Sequence, residues 1–299
     1  MSRSRAFGLV FLLAWGLAGC QSTATPPALP PLPAWQSPEG REHADLGLIR
    51  ETASGKVLTP EQLVQRLAAA PRVLVGEQHD NPDHHALQRW LLQALNQQRA
   101  QGSVLLEMLE PVQQVKVDLV RQQNPLPTDL AKAIDWQQGW DWKFYAPIIR
   151  DAFAEDYPVL AANLDRGEMS AIYRNPPELT GARSTASAVR EVLMEEVRSG
   201  HCGMLPESQL PSMLAVQQQR DRRMAERMLA APAPSLLLAG GYHVRKDVGA
   251  PVHLADLGAE RGTLVLMLAQ VGEEVGPQMA DFVWYTAALP KKDYCADLR

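Results

Sequence analysis

The stretch Val73-Leu74-Val75-Gly76-Glu77-Gln78-His79-Asp80-Asn81-Pro82 leaves few choices for the fold. Its apolar opening reads as a buried strand, broken at Gly76 before a Glu and a His. Asn81 and Pro82 then supply the N-cap and first position of a helix running on through Ala86, Leu87, Trp90, Leu91, Leu92 and Leu95. Strand, polar turn and helix open an α/β unit. Ligands of such sheets gather beyond the carboxyl ends of the strands, where Glu77 and His79 fall.

The same alternation continues along the chain. Strand-like runs occur at Val104–Glu107, Pro158–Asn163, Ser235–Ala239, Thr263–Leu268 and Asp281–Tyr285. Helical patterns separate them, one starting at Pro111 and another covering Phe144–Phe153. This predicts an α/β domain over residues 41–299, a parallel or mixed sheet with helices on both faces. Between Asn163 and Ser235 the pattern turns wholly helical, over Ser187–Val197 and Gln209–Leu229, so a small all-helical insert is expected at about residues 170–228.

The first residues read as a targeting segment. Arg3 and Arg5 precede an apolar run from Ala6 to Leu17, and Leu17-Ala18-Gly19-Cys20 matches a bacterial lipobox. Residues 1–19 are then a signal peptide, Cys20 carries the lipid, and the Pro/Ser-rich residues 20–40 form a tether. Gln21, rather than Asp, favours the outer membrane of a Gram-negative cell, with the domain facing the periplasm. That compartment permits disulfides, but the positions of Cys202 and Cys295 in the sequence leave their pairing open. A net charge of −5 offers no basic footprint, so nucleic acid is not expected as a partner.

Convergence is what gives the chain chemistry. Glu77 and His79 follow one strand, Glu107 ends the next, Asn163 ends a third, and Gly240-Gly241-Tyr242-His243 ends a fourth. Right-handed crossovers bring the carboxyl ends of parallel strands to one rim. Carboxylate with imidazole is the donor set for a divalent metal or for general acid–base work. Taken singly, Glu107 reads equally well as a helix cap and His243 as a core histidine. His84 and His85 are adjacent on a helix, so at most one faces His79.

The chain resembles the ChaN-like haem-binding lipoproteins of bacterial iron uptake, in the Tiki superfamily. The likeness runs through Gly76–His85, Trp136–Trp142 with Tyr145-Ala146-Pro147, Ala161–Leu164 and His201–Pro206. It continues through Gln217 with Arg220-Asp221 and Met224-Ala225, Ala239–His243 and Asp281–Thr286. It implies a homodimer that holds haem between two subunits, with a Tyr on the iron and basic side chains on the propionates. Tyr145 is the first choice for that ligand, with Tyr173 and Tyr242 behind it. Candidate propionate partners are His201, His243, Lys143 and Arg166. The implied role is carriage of haem for iron acquisition without chemistry, in concert with a haem receptor or transporter.

The superfamily also contains metal-dependent proteases and esterase-like enzymes. By that resemblance Glu77, His79, Glu107 and His243 match reactive or metal-holding positions, and Arg220 is placed to steady an oxyanion. The alternative expectation is therefore a hydrolase with a divalent metal, or with a water activated by His79.

Overall fold

The computed structural model describes residues 28–296. The expected signal segment and lipobox, with Cys20, lie outside the described residues. Eight strands are present among the described residues: β1 (Ile49–Glu51), β2 (Val57–Leu58), β3 (Arg72–Glu77), β4 (Ser103–Leu106), β5 (Val159–Ala161), β6 (Ser235–Gly240), β7 (Thr263–Gln270) and β8 (Phe282–Thr286). They form one sheet in the order β2-β1-β8-β7-β3-β6-β4-β5. From β8 to β5 every neighbouring pair is parallel, whereas β1 runs antiparallel to both β2 and β8. The sheet is mixed because a short antiparallel hairpin is added at one edge.

Helices α1 (Pro60–Ala68), α2 (Pro82–Gln98), α3 (Gln114–Arg121), α4 (Leu130–Ala133) and α5 (Trp142–Phe153) precede β5. Between β5 and β6 the chain inserts α6 (Arg166–Arg174), α7 (Ser187–Gly200) and α8 (Leu210–Ala230). The short α9 (Gly241–Val244) and α10 (Ala250–Asp256) follow β6.

Period-two alternation divides the strand side chains between two cores. Val73, Val75, Val104, Leu106, Leu236 and Leu238 share a core with α1, α2 and α5. Leu74, Leu105, Leu237 and Ala239 join the opposite one, with residues of α8 and α10. Both faces of the sheet are thus covered, as a parallel sheet requires.

Local signals set the helix starts. The Asn81 side chain accepts from the Asp83 N–H at 2.9 Å, and Pro82 takes the first position, so α2 begins shortly beyond β3. Thr59 and Gln62 close a capping box at α1. The stretch expected as a tether behaves differently over its described part, residues 28–40. Asp83 accepts from the Gln36 and Ser37 N–H groups at 2.6 and 3.0 Å, and the Trp90 indole donates to Pro30 O at 2.8 Å. This segment is docked on α2, because its backbone donors find a buried carboxylate there.

Register decides where the functional groups meet. Val75 of β3 pairs with Leu238 of β6, Glu77 pairs with Gly240, and Leu106 of β4 pairs with Leu238. Glu77, Glu107 and Gly240 therefore emerge from the sheet at nearly the same level.

Candidate functional site

Two imidazoles, each gripped by a buried carboxylate, face one buried glutamate. Glu77 Oε1 lies 2.9 Å from His79 Nδ1, and Asp221 Oδ1 lies 2.6 Å from His243 Nδ1. Occupying Nδ1 in this way turns the opposite nitrogen, Nε2, toward Glu107. His243 Nε2 is 3.3 Å from Glu107 Oε1, and His79 Nε2 is 4.0 Å from Glu107 Oε2. The structure thus brings together Glu77, His79, Glu107 and His243 from the ends of β3, β4 and β6.

Arg220 of α8 completes the group. Its guanidinium donates to Glu107 Oε1 at 2.6 Å and to Asn163 Oδ1 at 3.0 Å, while Asn163 donates to Glu107 O at 3.0 Å. Glu107 Oε2 accepts the Gly240 N–H at 2.6 Å. Gly240 has no room for a side chain: a β-carbon there would stand 2.7 Å from His79 Nε2 and 3.4 Å from Glu107 Oε2. That approach explains the glycine at this strand end.

Electrostatics follow from the burial of opposite charges. Burial pushes Glu77 upward, but the His85 and His79 imidazoles outweigh it and hold the carboxyl at about 2. Burial also raises Glu107, yet His243, Arg220 and His79 together hold it well below the usual range. For His243 burial disfavours the cation, and the Glu107 and Asp221 carboxylates reverse this and lift it to about 9. His79 is raised for the same reason, its burial penalty being overcome by Glu77 and Glu107. The cluster is an array of ion pairs in which both imidazoles are drawn toward the protonated form.

Tyr145 is built into this array. It is 1% exposed, and its hydroxyl donates to Glu77 Oε1 at 2.7 Å. Burial and the Glu77 charge drive its phenol far above the ordinary value, away from phenolate. His85 Nε2–H donates to His79 O at 2.9 Å, its Nδ1 lies 3.0 Å from Glu77 Oε2, and its ring stacks on Phe144 at 4.7 Å. The Trp block frames the other side, with the Trp140 ring 4.8 Å from that of His79 and Trp136 5.5 Å from Tyr145. His84 is structural. It accepts the Gln78 N–H at 2.8 Å and reaches Thr286 Oγ1 at 3.0 Å, and burial depresses it to about 3, so it stays neutral.

A cavity of about 730 Å³ opens above the array, between the rim and the insert. His79, His243 and Arg220 lie in its wall, with the thioethers of Met169, Met213 and Met267. Tyr242 and His201 also line it. Tyr242 is 45% exposed and carries the Arg245 guanidinium 5.5 Å over its ring. Burial, with Glu196 beside it, puts its phenol at about 12.

Three of the remaining sequence candidates, Tyr173, Arg166 and Lys143, lie elsewhere. Tyr173 is half-buried on α6, and Arg166 is exposed at the start of that helix. Lys143 pairs with Asp141 at 2.8 Å and belongs to a different groove, beside Pro31 and Arg89. His201 donates from Nδ1 to Val197 O at 2.7 Å. Sequence reasoning assigned Asp221 no role. Its signals are its place in the Arg220-Asp221 block of the family likeness and its position, since Gln217, Arg220, Asp221 and Met224 fall on one helical face.

The metal expected under the hydrolase alternative does not fit. Among the described residues no group of three or more His, Cys, Asp or Glu is disposed to hold a metal ion. The reason is local: Arg220 and the Gly240 N–H take both oxygens of Glu107, the carboxylate that the two Nε2 atoms face.

Sheet, rim and insert define an α/β protein whose working groups come from strand ends and from one inserted helix. The chain belongs to the haem-binding uptake family of the Tiki superfamily, ChaN, whose family model matches residues 63–254. Among solved structures it is similar to ChaN of Campylobacter jejuni, described with cofacial haem binding. The TM-score is 0.74 and the identity 29%, over 84% of this chain and 98% of that one. An erythromycin esterase, EreC, is similar at TM-score 0.47 and 13% identity, over 83% and 86% of the two chains. The toxin effector domain RRSP of Vibrio vulnificus is similar at 0.44 and 13%, over 79% and 40%. No curated protein matches the sequence.

Proposed function

We propose that this protein binds haem in the rim cavity and serves haem or iron acquisition from a lipid anchor on the outer membrane. The observation that carries the reading is the cavity itself, about 730 Å³, with thioether and aliphatic walls and a half-exposed tyrosine in its lining. Flat apolar surface suits a porphyrin face, and a phenolate is a ferric haem ligand. Tyr242 is the residue for that role, with Arg245 and His201 for the propionates. Tyr145 is committed to Glu77, and Lys143 and Arg166 lie off the cavity. Haem bound there would supply a ferric centre for the phenolate; the protein's part is to hold it and shield its faces.

Two subunits would share the cofactor, an idea supported by the cofacial haem described for the Campylobacter jejuni relative. Anchoring at Cys20 rests on the lipobox and on Gln21. A haem receptor or transporter is the partner class that such a carrier requires.

Hemin titration followed by size-exclusion chromatography tests the reading. A tyrosinate-type spectrum that is lost in Tyr242→Phe, retained in Tyr145→Phe, and accompanied by a doubled mass is the expected result. No Soret shift at micromolar hemin overturns it. Acyl labelling that persists in Cys20→Ser overturns the anchor.

One observation favours a second reading, a metal-free hydrolase. The 4.0 Å between His79 Nε2 and Glu107 Oε2 is a gap that one water can bridge, and His79 opens on the same cavity. Hydrolysis of an ester or peptide panel, abolished in Glu107→Gln and intact in Tyr242→Phe, would promote this reading over the first.

A further inference from the structure

We propose that the C-terminal tail is a disulfide latch on the cavity, which a dithiol reductant opens. Leaving β8 at the rim, the tail is held step by step. The Leu289 N–H donates to the Gln270 side chain, and the Gln270 amide donates to the Gln78 side chain. The Tyr294 hydroxyl donates to Asp80, and Cys295 closes a disulfide to Cys202. Asp80 follows His79 on the sheet rim, and Cys202 follows His201 on the insert. Both histidines line the cavity. The tail is therefore a strap from rim to insert, with its two anchor points each one residue from the cavity wall.

The wall it secures is thinly held. Of the fourteen residues of α7 only Leu193 and Val197 are buried. Leu193 packs with Leu214 and Val248 in a cluster separate from the two sheet cores. Yet α7 and the residue after it supply Glu196, Val197, Gly200 and His201 to the cavity. A segment with so few buried contacts opens locally unless something ties it down. The cross-link does so across 93 residues of sequence. Cys202 and Gly203 both hold positive φ, 59° and 66°, so the bonded turn keeps a non-glycine residue in the left-handed region.

Opening is a two-electron exchange. A dithiol donor attacks one sulfur as thiolate, and the Cys202–Cys295 bond breaks through a mixed disulfide. Both cysteines end as thiols carrying the donor's two protons, and the donor departs oxidised to its own disulfide. With the strap released, α7 swings free of the rim and the mouth of the cavity widens. The latch stands on the geometry above, while its effect on haem rests on the reading in the previous subsection.

The experiment compares the oxidised full chain, the dithiothreitol-reduced chain and Cys202→Ser/Cys295→Ser. Backbone hydrogen exchange is measured on all three. Hemin transfer to apomyoglobin is measured on the oxidised chain and the double variant, where no reductant disturbs the iron. Faster exchange through residues 187–203 in both unlatched forms, with a hemin off-rate raised roughly tenfold, is expected, since affinity changes reside mostly in dissociation. Faster exchange confined to residues 290–296, with α7 and the off-rate unchanged, overturns the latch. Faster exchange in α7 with no hemin bound by any form supports the latch and overturns the haem reading.

Discussion

Asp221 Oδ1 stands 2.6 Å from His243 Nδ1, both side chains buried, one on α8 and the other just beyond β6. The inserted helix thereby fixes the ring of an imidazole that the sheet presents. Asp221→Asn removes the charge but keeps the shape. The His243 pKa should fall well below its value of about 9, read by NMR titration of the imidazole. Loss of a buried charge partner should lower stability by about 3 kcal/mol at neutral pH in urea unfolding.

Stability against pH should show two limbs with a maximum between them. His243 is raised from 6.5 to about 9, so its contribution is complete below 6.5 and lost as pH rises through about 9. Glu77 is lowered from 4.5 to about 2, so its contribution is complete above 4.5 and lost as pH falls through about 2. Neutral His84, depressed from 6.5 to about 3, steepens the acid limb, because the unfolded chain takes up a proton first. Chemical denaturation across this range should peak near neutrality, and Asp221→Asn should flatten only the alkaline limb. An alkaline limb unchanged in the variant would refute the assignment to His243.

Arg220→Met should cost about 1.5–3 kcal/mol, since it removes one charged donor from a Glu107 that is 1% exposed and keeps His243, His79 and the Gly240 N–H as partners. Combining it with Glu107→Gln should recover a substantial part, and a double-mutant cycle in denaturant measures the coupling. Arg220→Lys should recover little, because one ammonium cannot span Asn163 Oδ1 and Glu107 Oε1 as the guanidinium fork does.

Gly240→Ala should displace His79. The new methyl carbon would meet its Nε2 at 2.7 Å, and overpacking of this kind costs about 1–3 kcal/mol. Thermal unfolding reads the cost, and a lowered His79 pKa in NMR titration reads the displacement. A crystal structure with His79 still 2.9 Å from Glu77 would count against it.

Tyr145→Phe should lower stability by about 1–2 kcal/mol by removing one donor from a buried carboxylate that keeps His79 as another partner. Denaturant unfolding measures the loss. The hemin spectrum should be indifferent to this substitution.

Local sequence signals were enough for the skeleton of this molecule. Apolar runs marked strands β3, β4, β6 and β7, and Asn81-Pro82 marked the start of α2 beside them, because strand patterning and capping are settled by neighbours a few residues apart. The expectation that strand-end groups share a rim also follows from handedness alone, and Glu77, Glu107 and Gly240 meet there. What stayed hidden depends on distant partners. Tyr145 reads in sequence as an available phenol, and only the packing of α5 on α2 reveals that its hydroxyl is committed to Glu77.

The chain by itself therefore determined the strand–helix alternation, the order of its elements and the residue types at each strand end. Tertiary structure alone decided which carboxylate holds which imidazole, that Arg220 pairs with Glu107, that Pro30, Gln36 and Ser37 lie docked on α2, and that Cys202 reaches Cys295. The physical reason is range. Backbone conformation answers to short-range sterics and hydrogen bonds, whereas a site is assembled by side chains from α8, β3, β4 and β6 whose separation only the closed fold defines.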